Sequence, residues 1–179
     1  MELMEQAQHD MRTGYKGGYT GVVVSGLIWT TAGLVAVLDT RPHSVWTLLI
    51  GGMLIHPLGI VLNKVLGASG SHQPHNKLGR LAMEGTVWML MCIPLALLLS
   101  LQKTEWFFQA MLMIIGGRYL TFATLFGNRV FWLLGGALGM AGFMLFSLHA
   151  SADVSVFTGA AIEIGFGTCL LMFGRRKLL

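Results

Sequence analysis

Six stretches of the chain run for 20 to 22 residues with almost no charged side chain, near 19–38, 45–66, 80–100, 106–126, 130–149 and 154–173. At 1.5 Å per residue each is long enough, as a helix, to cross a hydrocarbon core of about 30 Å. The runs do not alternate polar and apolar positions, and they are too long for barrel strands. They predict an all-α polytopic membrane protein of six transmembrane helices, arranged as three helical hairpins. Residues 1–17 are a polar N-terminal tail, residues 18–174 hold the six-helix domain, and residues 175–179 are a basic C-terminal tail. In the tail, Met4, Ala7 and Met11 have helical spacing. That suits a short helix on the membrane surface, with a mobile tail as the alternative. The connections are short except for 67–79, a run of Gly, Ser, His, Asn and Pro that reads as the most mobile segment.

Composition agrees with the pattern. The chain is 54% hydrophobic and 11% charged, against about 25% charged in soluble domains. No polar segment is long enough for a separate soluble domain, and a cleavable signal peptide is not expected, because the first apolar run is long enough to remain as a span. The net charge of +4 reflects where the basic residues stand rather than binding of nucleic acid. Arg12, Lys16, Lys64, Lys77, Arg80, Arg129, Arg175, Arg176 and Lys177 fall on one side, and Arg41 and Lys103 on the other. This asymmetry predicts that both termini are cytoplasmic. Trp46 and Trp106 at one set of span ends, and Tyr15 and Tyr19 at the other, suit the interfacial belt.

A faint repeat supports the hairpins. Ser25-Gly26-Leu27-Ile28-Trp29 is similar to Glu84-Gly85-Thr86-Val87-Trp88, and Ile50-Gly51-Gly52 to Ile115-Gly116-Gly117, with Thr158-Gly159 a weaker echo. Such copies would be parallel, each adding one outward and one inward span. Glycines also let helix backbones approach closely. Gly135 with Gly139, and Gly17 with Gly21, form small-xxx-small pairs. These faces suit packing within the chain, or against a second copy in a homo-oligomer. Pro57 and Pro94 each interrupt a span and predict a kink.

The candidate chemistry lies in ionisable groups placed where lipid should be. From the span ends, Glu84 is about 6 Å deep, Arg118 about 12 Å, and His56 and Glu163 about 15 Å. A charge at a helix centre costs about 2.5–3.5 kcal/mol on insertion scales. Arg118 does not readily lose its proton, so Glu84 or Glu163 is its expected companion. If the repeat holds, His56, Thr121 and Glu163 occupy equivalent positions on three parallel helices and line a shared axis. His72-x-x-His75 lacks a third ligand, and no metal or cofactor is expected. No nucleophile–base set is visible, which points away from an enzyme. Cys92 and Cys169 lie at different depths and are not expected to pair.

Three function classes remain. One is a small transporter or channel whose polar site is built from His56, Glu84, Arg118, Thr121 and Glu163. A second is a non-transporting membrane scaffold that binds lipid or a partner, its Glu–Arg pair acting only in folding. The third is an intramembrane enzyme acting on lipid.

The motifs Leu78-Gly79-Arg80-Leu81-Ala82-Met83-Glu84-Gly85-Thr86, Glu105-Trp106-Phe107-Phe108 and Ile115-Gly116-Gly117-Arg118-Tyr119-Leu120-Thr121-Phe122-Ala123-Thr124-Leu125 carry a resemblance. With Ser25-Gly26-Leu27-Ile28-Trp29 and Gly51-Gly52-Met53-Leu54, they make the chain resemble an uncharacterised bacterial family of small six-span membrane proteins. The resemblance spans nearly everything after residue 14. It implies the span count and a place in the bacterial inner membrane, and no activity. More distantly, the paired-hairpin rhythm is similar to the six-span acid-resistance membrane proteins of enteric bacteria.

Overall fold

The computed structural model describes residues 2–176, with side chains described for residues 3–172. The basic C-terminal ending Arg175-Arg176-Lys177 falls outside the described side chains. Among the described residues there are seven α-helices and no strand. They are α1 (Glu2–Gly14), α2 (Tyr19–Leu38), α3 (Arg41–Val65), α4 (Leu78–Ser100), α5 (Thr104–Phe126), α6 (Val130–Ser147) and α7 (Ala152–Arg176), with a single 3-10 turn at Lys16–Gly18. Helices α2 to α7 are each long and apolar enough to cross a membrane. The protein is therefore an all-α, six-span membrane protein.

Local chemistry sets the breaks. Lys16, Gly17 and Gly18 all have positive φ (52°, 63° and 83°), a run that no helix tolerates, so α1 and α2 are separate elements. Gly17 is thus not part of a helical small-residue pair with Gly21. Between α2 and α3, the Thr40 side chain accepts from the His43 N–H at 3.4 Å, with Pro42 in the first turn. Gly127 ends α5 in the left-handed region, at φ 58°. Both α3 and α4 continue through Pro57 and Pro94.

The six long helices stand in two rows. One row runs α3–α2–α7 and the other α4–α5–α6, with α5 also touching α3 and α7 across the middle. The rows close where α6 meets α7, and no packed interface forms between α3 and α4. Glycine explains the tight end. A Cβ added to Gly116 would lie 2.7 Å from the Gly135 carbonyl oxygen and 2.9 Å from the Gly139 nitrogen, and one on Gly142 would lie 2.6 Å from the Gln109 oxygen. The α5 and α6 backbones are therefore in contact. Gly26 and Gly167 do the same between α2 and α7, against the Ile164 and Val23 nitrogens at 3.0 and 3.3 Å. Between the rows the space is filled by large side chains, with Trp29, Phe107, Phe108, Leu112 and Leu138 fully buried. The outer surface is apolar, with Leu54, Val61, Met91, Leu95, Leu133 and Phe143 all exposed, as a lipid-facing coat requires.

The polar segments form a cap at one end of the bundle. Helix α1 lies over the C-terminus of α5, where Gln8 and Arg12 donate to the otherwise unpaired carbonyls of Thr124 (2.8 Å) and Phe126 (2.9 Å). Met11 is buried against the core. The 67–77 connection is tied to α1 rather than left free. Gly70 N–H donates to the Gly14 carbonyl at 3.0 Å, and Asp10 accepts from Gln73 N–H at 3.0 Å and from Asn76 Nδ2 at 2.7 Å. Burial alone would raise the Asp10 carboxyl. The Asn76 and Gln73 donors, with His72 and His75 nearby, outweigh it and hold the group below the usual carboxylate range.

Candidate functional site

Because α3 and α4 stay apart, a cleft of about 500 Å³ opens between them, with α2 and α5 as its floor. The lining changes character along its length. Trp29, Leu48, Leu49, Ile93 and Met111 make one half apolar. The half nearer α1 carries Thr20, Ser25, His56, Asn63, Thr86, Arg118 and Tyr119. At 1.5 Å per residue, Ser25, Tyr119, Arg118, Thr86 and His56 stand roughly 9–14 Å in from the helix ends nearest α1, so the polar groups form a band. Met53, Met83 and Met89 complete the walls with adaptable thioethers. Pro57 and Pro94 have no N–H, so the carbonyls of Met53 and Leu90, both lining residues, lose their helical donors. Beyond the apolar half, a shallower opening of about 630 Å³ continues the gap past Trp46 and Leu101.

Arg118 projects from α5 into this cleft. One guanidinium NH2 donates to the Thr86 hydroxyl at 3.2 Å, the other approaches the Met89 sulfur at 3.5 Å, and Cζ lies 5.5 Å from the centre of the Phe122 ring. The Thr86 hydroxyl donates back to the Ala82 carbonyl at 2.9 Å, which turns its lone pairs toward the arginine. Arg118 Nε is buried with no partner. All these contacts are neutral. Among the described residues the one contact between a basic side chain and a carboxylate is His43 with Asp39, in the turn between α2 and α3. The expected Glu–Arg contact is not formed.

The other anticipated site residues are dispersed. His56 is exposed on the cleft wall of α3. Glu84 is exposed and absent from the lining, two positions away from both Ala82 and Thr86, and so lies on the outward face of α4. Thr121 donates to the Arg118 carbonyl at 2.7 Å and packs toward α4, where a Cβ on Gly85 would lie 3.3 Å from its hydroxyl. Glu163 is fully buried on α7, and neither carboxylate oxygen has a hydrogen-bond partner. Its nearest polar neighbours are the Ser25 and Tyr119 hydroxyls, with Arg118 beyond contact but within electrostatic reach. His56, Thr121 and Glu163 therefore do not share an axis. Arg118 and Glu163 remain neighbours, joined through Tyr119 and Ser25, which both line the cleft.

A family model described as a family of unknown function (DUF7010) matches residues 4–173. The chain belongs to this family. The match takes in α1 and all six long helices, so the cap and the cleft both lie within it. No curated protein and no solved structure matches the chain.

The partners of several cleft residues carry no signal in the sequence pattern. Asn63 is buried and accepts from the Thr20 hydroxyl at 3.0 Å, which joins α3 to α2. Asn63 was legible as a polar residue within a span, but its partner was not. At the cleft end, the Tyr15 hydroxyl meets His72 Nδ1 at 2.9 Å. Burial first, then the nearby Asp10, push the Tyr15 phenol up, so it keeps its proton and can donate to His72. His72 is also wedged against Gly79, where a Cβ would strike its Nε2.

Proposed function

We propose that this membrane protein admits an amphipathic anion from the bilayer through the gap between α3 and α4 and seats the anionic group at Arg118. In this reading it is a small transporter of the bacterial inner membrane, with the α1 end cytoplasmic as the nine-to-two basic asymmetry favours. The observation that carries the reading is a guanidinium in a membrane-depth cleft with neutral partners only. An arginine there, at a cost of about 2.5–3.5 kcal/mol, gains most from a ligand that brings the missing negative charge. The cleft volume of about 500 Å³ falls in the range of about 300–1,000 Å³ typical of small-ligand sites. Its mostly apolar lining suits one alkyl chain, and its open side faces lipid, so such a ligand need not cross water to enter.

The test is binding of a fluorescent single-chain alkyl sulfonate to the protein in nanodiscs. Arg118→Gln should weaken binding by about 10- to 150-fold, the equivalent of losing a charge-assisted hydrogen bond of about 1.5–3 kcal/mol. A zwitterionic analogue of equal chain length should bind no better to the wild type than to the variant. Equal affinity for both headgroups would sink the reading. Binding without transport is the second reading, favoured by the Tyr15–His72 contact at the α1 end of the cleft. Counterflow of the probe in proteoliposomes separates the two.

A further inference from the structure

We infer that Glu163 is a proton site coupled to the anion site, so that the cleft holds an anion only while Glu163 carries a proton. The inference rests on the anion-binding reading above and deepens it. Glu163 has no exposed surface, and both its oxygens lack a hydrogen-bond partner. It is separated from the cleft by two hydroxyl side chains, Ser25 from α2 and Tyr119 from α5. Arg118 is the residue next to Tyr119 and keeps Nε unpartnered. A buried carboxylate and a guanidinium thus stand in the same water-poor region without touching. With Glu163 ionised, the pair sums to zero, and an incoming anion would leave one uncompensated negative charge at membrane depth. With Glu163 neutral, Arg118 and the anion sum to zero instead. Ionised Glu163 and the ligand therefore compete for one arginine. The proton comes from water, binds a carboxylate oxygen of Glu163, and leaves when the anion leaves. By reciprocity, the anion raises the affinity of Glu163 for that proton as much as the proton raises the affinity for the anion.

The charged and titratable groups facing Glu163 are few. Helix α5 presents Arg118 and Tyr119, α2 presents the neutral Ser25, and α6 carries no ionisable side chain along Val130–Ser147. His56 on α3 faces the same cleft from the other wall, so the experiment has to separate it from Glu163.

The experiment uses the full chain in nanodiscs and a fluorescent alkyl sulfonate, whose headgroup stays ionised throughout, so any pH dependence belongs to the protein. Affinity should fall on an alkaline limb by about tenfold per pH unit, with one proton taken up per anion in calorimetry across buffers of different ionisation enthalpy. Glu163→Gln should remove the limb and bind the probe at its alkaline end at least tenfold more tightly than the wild type, whereas the limb should survive in His56→Gln. Arg118-dependent binding with no proton uptake overturns the coupling and leaves the anion site standing. Loss of the limb in His56→Gln moves the proton site to α3 and also overturns it. No Arg118-dependent binding of the probe at any pH removes the underlying anion site instead. The proton count is made on the unmodified protein, so it decides the matter even if Glu163→Gln fails to fold.

Discussion

Replacement of Gly116 by alanine tests how α5, and with it Arg118, is held. The added Cβ would meet the Gly135 oxygen at 2.7 Å, the Gly139 nitrogen at 2.9 Å and the Leu138 Cβ at 3.2 Å. Two of the three are backbone atoms, which cannot rotate away as a side-chain tip can, so the helices must part. Overpacking of this kind costs about 1–3 kcal/mol, and the gain in helix propensity returns at most about 1 kcal/mol. The expected result is a net loss of about 0–3 kcal/mol. Gly136→Ala is the control, since a Cβ there meets nothing within 4 Å, and it should be neutral or slightly stabilising. Reversible unfolding in mixed micelles measures both. Gly116 and Gly135 face each other, a Cβ on Gly135 lying 2.6 Å from the Gly116 oxygen. The double alanine variant should therefore lose less than the sum of its parts, because helices parted once need not part again. If Gly116→Ala proved as stable as Gly136→Ala, the backbone contact between α5 and α6 would be wrong, and with it the placement of Arg118 two residues along.

Asp10→Asn should loosen the 67–77 connection, seen as faster amide exchange at Gln73. Acid should do the same in the wild type. The folded carboxyl lies below its ordinary value, so its stabilisation is complete above the unfolded value and is lost as pH falls through the folded one. Tyr15→Phe deletes the 2.9 Å contact with His72. It should speed labelling of a cysteine introduced by Ile60→Cys with a membrane-impermeant reagent added on the α1 side; an unchanged rate would mean that this contact closes nothing. Thr20→Val and Asn63→Leu should each cost about 0.6–1.7 kcal/mol, the scale of hydrogen bonds between membrane helices. Their double replacement should cost less than the sum. Glu84→Gln should leave binding of the alkyl sulfonate within twofold of wild type, since Glu84 lies outside the cleft lining; a larger change would place it at the site.

Run length determined much of this protein. Whether a segment enters lipid depends on how many consecutive residues lack charge, and that count is written along the chain, so six helices and their short connections were legible before any packing was known. The backbone contact at Gly116 was legible in part, because a glycine pair in an apolar helix has few uses besides close approach. The rotation of each helix was not. A span facing protein on one side and lipid on the other is apolar on both, so periodicity cannot say which way Glu84 and Thr86, two residues apart on α4, turn. Tertiary structure sent Thr86 to the arginine and Glu84 to the outside. It also left α3 and α4 apart, made α1 and the 67–77 connection a cap, and kept Glu163 one hydroxyl layer away from Arg118. Each of these follows from how whole helices tilt and turn against one another. A charge at a given depth only states that a partner is needed; the arrangement of the six helices decided that the described protein supplies none to Arg118 but a threonine and a thioether.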